Sequence, residues 1–218
     1  MSLVLETALI VFARAPQPGR VKSRLAASIG DHAAAEIYAR LLGRAIALAA
    51  DWTGPKIIAA ADAAAMTYFE NLPEAAGFLV IPQIGDGLGA RMLAAFERAL
   101  SHATAAILMG SDIVDAETSD LLDAATCLAA RDDIVIGPAA DGGYWLLGMK
   151  SAQPQLFHEM VWGCAEVARL TESRAMGAGL RVHQLPTRHD IDSERDYNNF
   201  SSRIARLSPL PLMSATGV

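Results

Sequence analysis

Cysteine is scarce in this chain: its 218 residues include only Cys127 and Cys164, with no Cys-x-x-Cys pair and no flanking histidine. That spacing indicates neither a zinc site nor a disulfide framework, and two free thiols are expected. Aromatic residues make up 6% and charged residues 19%, and no apolar run approaches the length of a membrane span. No basic region precedes an apolar segment with a small-residue cleavage site, so the cytoplasm is the expected compartment. Positive charge is also short. The formal net charge of −6 argues against nucleic acid as a partner, because such binders concentrate positive charge to displace counterions.

Apolar residues are abundant at 52%, and much of that share is alanine, which favours helices. No composition break divides the chain, so residues 1–207 are expected to form one domain. Met1 to Leu3 reads as an expression scar, and Ser208 to Val218, with two prolines and small residues, as a flexible tail.

Short apolar runs alternate with helical patterns. Strands are expected at Thr7 to Ala13, Lys56 to Ala61, Gly77 to Ile81, Ala105 to Met109, Asp133 to Gly137, Tyr144 to Met149 and Arg181 to Leu185. Between them, Ala34, Ile37, Leu41, Ala45 and Leu48 mark a helix with one apolar stripe; Leu88 to Ala99 and Leu121 to Leu128 mark two more. A helix at about Ala165 to Met176 and one from Asp192 complete the series. Repeated β-α units with short links predict a three-layer α/β/α fold with a mainly parallel sheet and a ligand site beyond the carboxyl ends of its strands.

Five segments carry candidate chemistry. Arg14 to Arg24 follows the first strand and holds four of the eighteen basic residues. Two prolines stiffen it, Gly19 permits close backbone approach, and Lys22 and Arg24 point to one side if the segment is extended. Such a loop can hold two or three phosphates; a solvated basic turn is the alternative reading. It is neither a dinucleotide fingerprint nor a Walker A loop, because only Gly19 is present and Val21 precedes Lys22.

Asp112 ends another apolar strand, where its carboxylate can hold Mg²⁺ on a ligand's phosphates or simply serve a turn; Asp115 and Glu117 read as helix caps. Asp141, Gly142, Gly143 and Tyr144 form a turn that lets backbone pass close to a ligand, and a plain hairpin explains the same residues. Asp190 and Asp192 share a face if extended, so one of them can reach a metal while Asp192 or Ser193 starts the last helix. Gln83 to Met92 is a Gly-rich loop opening a helix, with Gly89 and Arg91 available to an anion. His32, His102, His158 and His183 stand in no constellation.

Taken together, Ala15 to Leu25, Leu88 to Met92, Gly110 to Val114, Gly137 to Tyr144 and Asp190 to Asp192 resemble a bacterial family of the glycosyltransferase-A, or nucleotide-diphospho-sugar transferase, fold. Its members are described as glycosyltransferases by inference. The resemblance runs from about Leu9 to Tyr197, with Ser23 in place of a usual threonine, Ala90 of a frequent glutamate and Val114 of a frequent proline. The basic loop is also similar to that of 2-phospholactate guanylyltransferase, and Asp192 looks like the second metal aspartate of sugar nucleotidyltransferases.

This resemblance implies a transferase dependent on Mg²⁺ or Mn²⁺, with a nucleotide sugar or nucleoside triphosphate and a small-molecule acceptor as partners. The leading expectation is glycosyl transfer from a nucleotide sugar. Arg14, Gly19, Lys22, Arg24, Gly89, Arg91, Gly142, Gly143 and Tyr144 would bind the nucleotide, and Asp112 and Asp192 the metal. Lys22, Asp112 and Asp141 would carry the chemistry, Asp141 as base. Nucleotidyl transfer to a phosphorylated acceptor and a non-catalytic nucleotide-binding module are the alternatives.

Overall fold

The computed structural model describes residues 6–214. In chain order the elements are β1 (Thr7–Ala13), α1 (Ser23–Ile29), α2 (Asp31–Ala50), β2 (Lys56–Ala60), α3 (Ala63–Glu70), β3 (Leu79–Pro82), α4 (Leu88–Leu100) and β4 (Ala105–Gly110). They continue with α5 (Thr118–Ala130), β5 (Ile134–Pro138), β6 (Tyr144–Met149), α6 (Val167–Gly177), β7 (Val182–Gln184) and α7 (Glu194–Ile204). One seven-stranded sheet runs in the order β3-β2-β1-β4-β6-β5-β7. Its pairs are parallel except for β6, which runs against both β4 and β5.

The apolar run of β1 needs cover on both faces and receives it. Leu9, Val11 and Ala13 enter the core beneath α2, α3 and α5, while Ala8 and Ile10 enter the core beneath α4 and α6. Tyr38, Phe69 and Leu121 fill the first core, and Met92, Phe96 and Ala175 the second. This is the expected α/β/α arrangement. At one corner Leu25, Ile37, Leu41, Val114, Ile191 and Ile204 form a third cluster that docks α7 on α1 and α2. Among the described residues no helix is long and apolar enough to cross a membrane.

Three expectations need correction. The segment through Arg24 is not extended: α1 begins at Ser23 and ends at Gly30, whose φ of 87° breaks it from α2. Helix α2 has two buried faces rather than one stripe, because Ala34, Ile37 and Leu41 meet the α7 corner while Ala35, Tyr38 and Leu42 meet the sheet. The tail from Ser208 is packed as far as Met213. Leu210 is buried, Leu212 and Met213 lie against the same core, and Met213 N donates to Pro16 O at 3.1 Å. Residues 215–218 of that tail, and Met1 to Leu3, lie outside the described residues.

Candidate active site

Strand β1 has β2 on one side and β4 on the other, so the links leaving β1 and β4 diverge and open a crevice at their carboxyl ends. A cleft of about 900 Å³ occupies that place. Its lining includes Arg14, Gly19, Arg20, Lys22 and Arg24 from the loop after β1, and Ser111 and Asp112 from the end of β4. Asp141, Gly143 and Tyr144 come from the β5–β6 turn, Leu88 and Arg91 from the start of α4, and Asp192 from the segment before α7.

The basic loop is shaped from beneath. Ala15 and Val21 are buried in the sheet core, Arg20 N donates to Gln17 O at 3.0 Å, and Gly19 takes φ 75°. Lys22 follows as the N-cap of α1 in the left-handed conformation, φ 51° and ψ 47°. A lysine rarely adopts that conformation, and strain of about 1–2 kcal/mol is held by its surroundings. The bend drives the Lys22 side chain inward to 5% exposure and leaves Arg24 pointing out at 71%. The two therefore diverge, unlike the one-sided pair expected of an extended segment.

Lys22 Nζ donates to Asp112 Oδ2 at 2.8 Å and to Asp192 Oδ1 at 2.6 Å. Arg24 approaches Asp192 Oδ2 at 3.8 Å. Burial opposes the Lys22 charge, but the two carboxylates outweigh it and hold the ammonium above the usual lysine range. Asp190 is pushed up to about 6 by burial and then by the negative charges of Asp141, Asp112 and Asp192. Of the pair Asp190 and Asp192, only Asp192 contacts Lys22. Asp190 instead bridges to Ile113 in a short antiparallel pairing.

That pairing belongs to a set of long-range bonds that deliver Asp192. Arg188 forks onto the buried Asp120, with Nε to Oδ2 at 3.0 Å and Nη2 to Oδ1 at 2.7 Å. Asp115 accepts from His189 N and meets His189 Nδ1, both at 2.8 Å, so it is not a helix cap. Glu117 caps α5 and Ser193 caps α7, each in a capping box. Val114 N donates to His189 O at 2.9 Å, a bond that a proline at this position would lack.

Tyr38 was not singled out in the sequence, yet its hydroxyl meets Ser111 Oγ at 2.8 Å and accepts from Arg14 N at 3.2 Å, tying the basic loop to the end of β4. The available signal was a tyrosine on an apolar helix face, whose hydroxyl needs a partner. Trp162 also lines the cleft and packs edge-on to Tyr144, with ring centroids 6.4 Å apart.

Two glycines differ from their expected role. A Cβ on Gly89 would come within 2.8 Å of Trp162, and one on Gly142, at φ 92°, within 2.2 Å of Ala165 O. Both permit close packing, and neither lines the cleft. Gly142 sits in the hairpin turn between β5 and β6, where Asp141 Oδ1 accepts from Gly143 N at 2.8 Å.

The expectation that Cys127 and His183 stand apart from other ligands is corrected too. Cys127, Asp132 and His183 place potential ligand atoms within 4.8 Å of one another, at the opposite end of the sheet from the cleft. Both cysteines are free.

Solved structures place this fold in a class. A candidate nucleotide-diphospho-sugar transferase from Desulfovibrio desulfuricans G20 superposes with a TM-score of 0.81 at 28% identity, over 92% of this chain and 97% of that one. A CMP:2-keto-3-deoxy-manno-octonic acid synthetase complexed with CTP matches at TM-score 0.58 and 11% identity, over 92% and 99%. The inositol-1-phosphate CTP transferase from T. maritima matches at 0.56 and 12%, over 93% and 97%. At such identities the last two establish the fold alone, which is that of the nucleotide-diphospho-sugar transferases. The chain belongs to the family described as "Uncharacterized protein conserved in bacteria (DUF2064)", whose model matches residues 44–164. That span includes Asp112 and Asp141 but neither Lys22 nor Asp192. No curated protein matches the chain in sequence.

Proposed function

We propose that this protein is an enzyme, a divalent-cation-dependent transferase that takes a nucleotide sugar as donor and passes its glycosyl group to a small-molecule acceptor. The observation that carries this reading is the convergence of Asp112 and Asp192 on Lys22 Nζ at the crossover of the sheet. A hard cation fits this donor set. The two carboxylates are 33% and 39% exposed, each directs an oxygen to one point, and Asp190 adds negative potential beside them.

Asp112 and Asp192 would hold Mg²⁺ or Mn²⁺, which when bound supplies positive charge to the phosphate oxygens of the leaving group. The Lys22 ammonium competes for the same two carboxylates, and a donor phosphate gives it another anion to follow. Lys22, Arg24 and Arg14 would bind and orient the diphosphate. Their fixed charge neutralises what develops as the glycosyl bond to the nucleoside diphosphate breaks. Asp141 would accept the proton of the acceptor hydroxyl. Tyr144 and Trp162, opposite the basic loop, would seat the acceptor and exclude water.

The 28% identical transferase supports this reading. Phosphorus NMR of the protein with a panel of nucleotide sugars, Mn²⁺ and alcohol acceptors tests it. Nucleoside diphosphate should appear with the wild type and be lost in Asp112→Asn and Lys22→Met, whereas a panel that is neither bound nor turned over would count against it. A second reading, nucleotidyl transfer from a nucleoside triphosphate to a phosphorylated acceptor, is favoured by the four cations of the loop, which suit a triphosphate equally well. Pyrophosphate release, without turnover of nucleotide sugars, would select it.

A further inference from the structure

Cys127 lies in the last turns of α5, Asp132 in the link from α5 to β5, and His183 at the centre of β7. Three separate elements therefore bring a sulfur, a carboxylate and an imidazole within 4.8 Å of one another, all partly buried. The backbone fixes this meeting. Asp132 N donates to Cys127 O at 3.1 Å, and Asp133 N and Ile134 N both donate to Arg181 O, at 2.9 and 3.0 Å. His183 stands in register with Val135.

Other polar side chains around the same strands are engaged: Asp133 with Arg181, Asp120 with Arg188, Asp115 with His189. Among the described residues the Cys127 thiol, the Asp132 carboxylate and the His183 ring make no side-chain hydrogen bond or ion pair. Three donors that converge and leave one another unused have the arrangement of ligands without a cation.

We propose that Cys127, Asp132 and His183 form a second metal site, separate from the cleft, that takes a zinc-like divalent cation and fastens the edge strand β7 to α5. The donor set selects the metal. A thiolate and an imidazole disfavour magnesium and calcium, whereas one sulfur, one nitrogen and one oxygen suit zinc with water in the fourth position. Tetrahedral bonds of about 2.0–2.3 Å require ligand atoms roughly 3.3–3.8 Å apart, so small side-chain rotations close the set. On binding, Cys127 gives its thiol proton to solvent. One thiolate and one carboxylate then balance the charge of the ion.

The two sites lie toward opposite ends of the sheet, separated along β5 by five residues, or about 16 Å of strand rise. They are nonetheless linked by the chain. Among the described residues β7 pairs only with β5, and the segment that follows it carries Arg188 and Asp192. A cation holding β7 in place would steady the route by which Asp192 reaches the cleft.

The test is cobalt substitution of the full chain after chelation. Co²⁺ should bind with a thiolate-to-cobalt charge-transfer band in the near ultraviolet, lost in Cys127→Ser, weakened at least tenfold in affinity in His183→Ala, and retained in Asp112→Asn. Zn²⁺ should raise the melting temperature of the wild type by more than that of Cys127→Ser, whose fold is checked by circular dichroism. A wild-type protein without the thiolate band, or a band that survives in folded Cys127→Ser, would overturn the proposal.

Discussion

Replacing Lys22 by methionine keeps a side chain that reaches as far as Cε but removes the ammonium that Asp112 and Asp192 share. Breaking a fully buried ion pair by deleting one partner costs about 3–5 kcal/mol. Here the carboxylates are 33% and 39% exposed, so water screens part of their repulsion and roughly 2 kcal/mol is a better figure. In a chain of this size that corresponds to a fall in Tm of about 4–8 °C. The same change frees both carboxylates for a cation. Mg²⁺ or Mn²⁺ at a hundred times its Kd should then return about 2.7 kcal/mol, whereas the wild type must first surrender its ammonium and should gain less. Thermal melts of both proteins, with chelator and with a Mn²⁺ series, measure the two effects. The reasoning fails if Lys22→Met melts with the wild type in chelator, or if the cation shifts both proteins equally.

Arg188→Ala should cost about 3 kcal/mol in urea denaturation, because it strands the buried Asp120 carboxylate, and it should weaken nucleotide binding by loosening the path to Asp192. Gly142→Ala should destabilise by more than about 2 kcal/mol, since its Cβ meets Ala165 O at 2.2 Å as well as a φ of 92°. Gly163→Ala is the matched control: its φ is 78° with open space around the Cβ, and only backbone strain of about 1–2 kcal/mol should appear in the same denaturation.

The sheet was largely legible because β1 and β6 are apolar runs whose bounds coincide with the observed Thr7–Ala13 and Tyr144–Met149. The antiparallel course of β6 follows from the Asp141-Gly142-Gly143 turn, which is too short for a crossover. The places of Asp112 and Asp192 near one end of the sheet could be anticipated from strand ends and, for Asp192, from resemblance. What holds them there could not. Arg188 and Asp120 are 68 positions apart, and no local pattern announces their pairing. The helix that starts beside Lys22 leaves no mark in the sequence because the seven residues of α1 give too little periodicity to register, and the inward turn of Lys22 depends on Ala15 and Val21 being buried in the sheet core. Cys127 and His183 looked isolated for the same reason: α5 and β7 meet only in the folded sheet.

The central claim is that Asp112 and Asp192 together hold the cation that a nucleotide's phosphates require. Electron paramagnetic resonance of Mn²⁺, titrated with protein in the presence of a nucleotide that the wild type binds, tests it most directly. The account expects a bound-manganese signal that disappears in both Asp112→Asn and Asp192→Asn, each folded by circular dichroism. Undiminished manganese binding in either variant would contradict it.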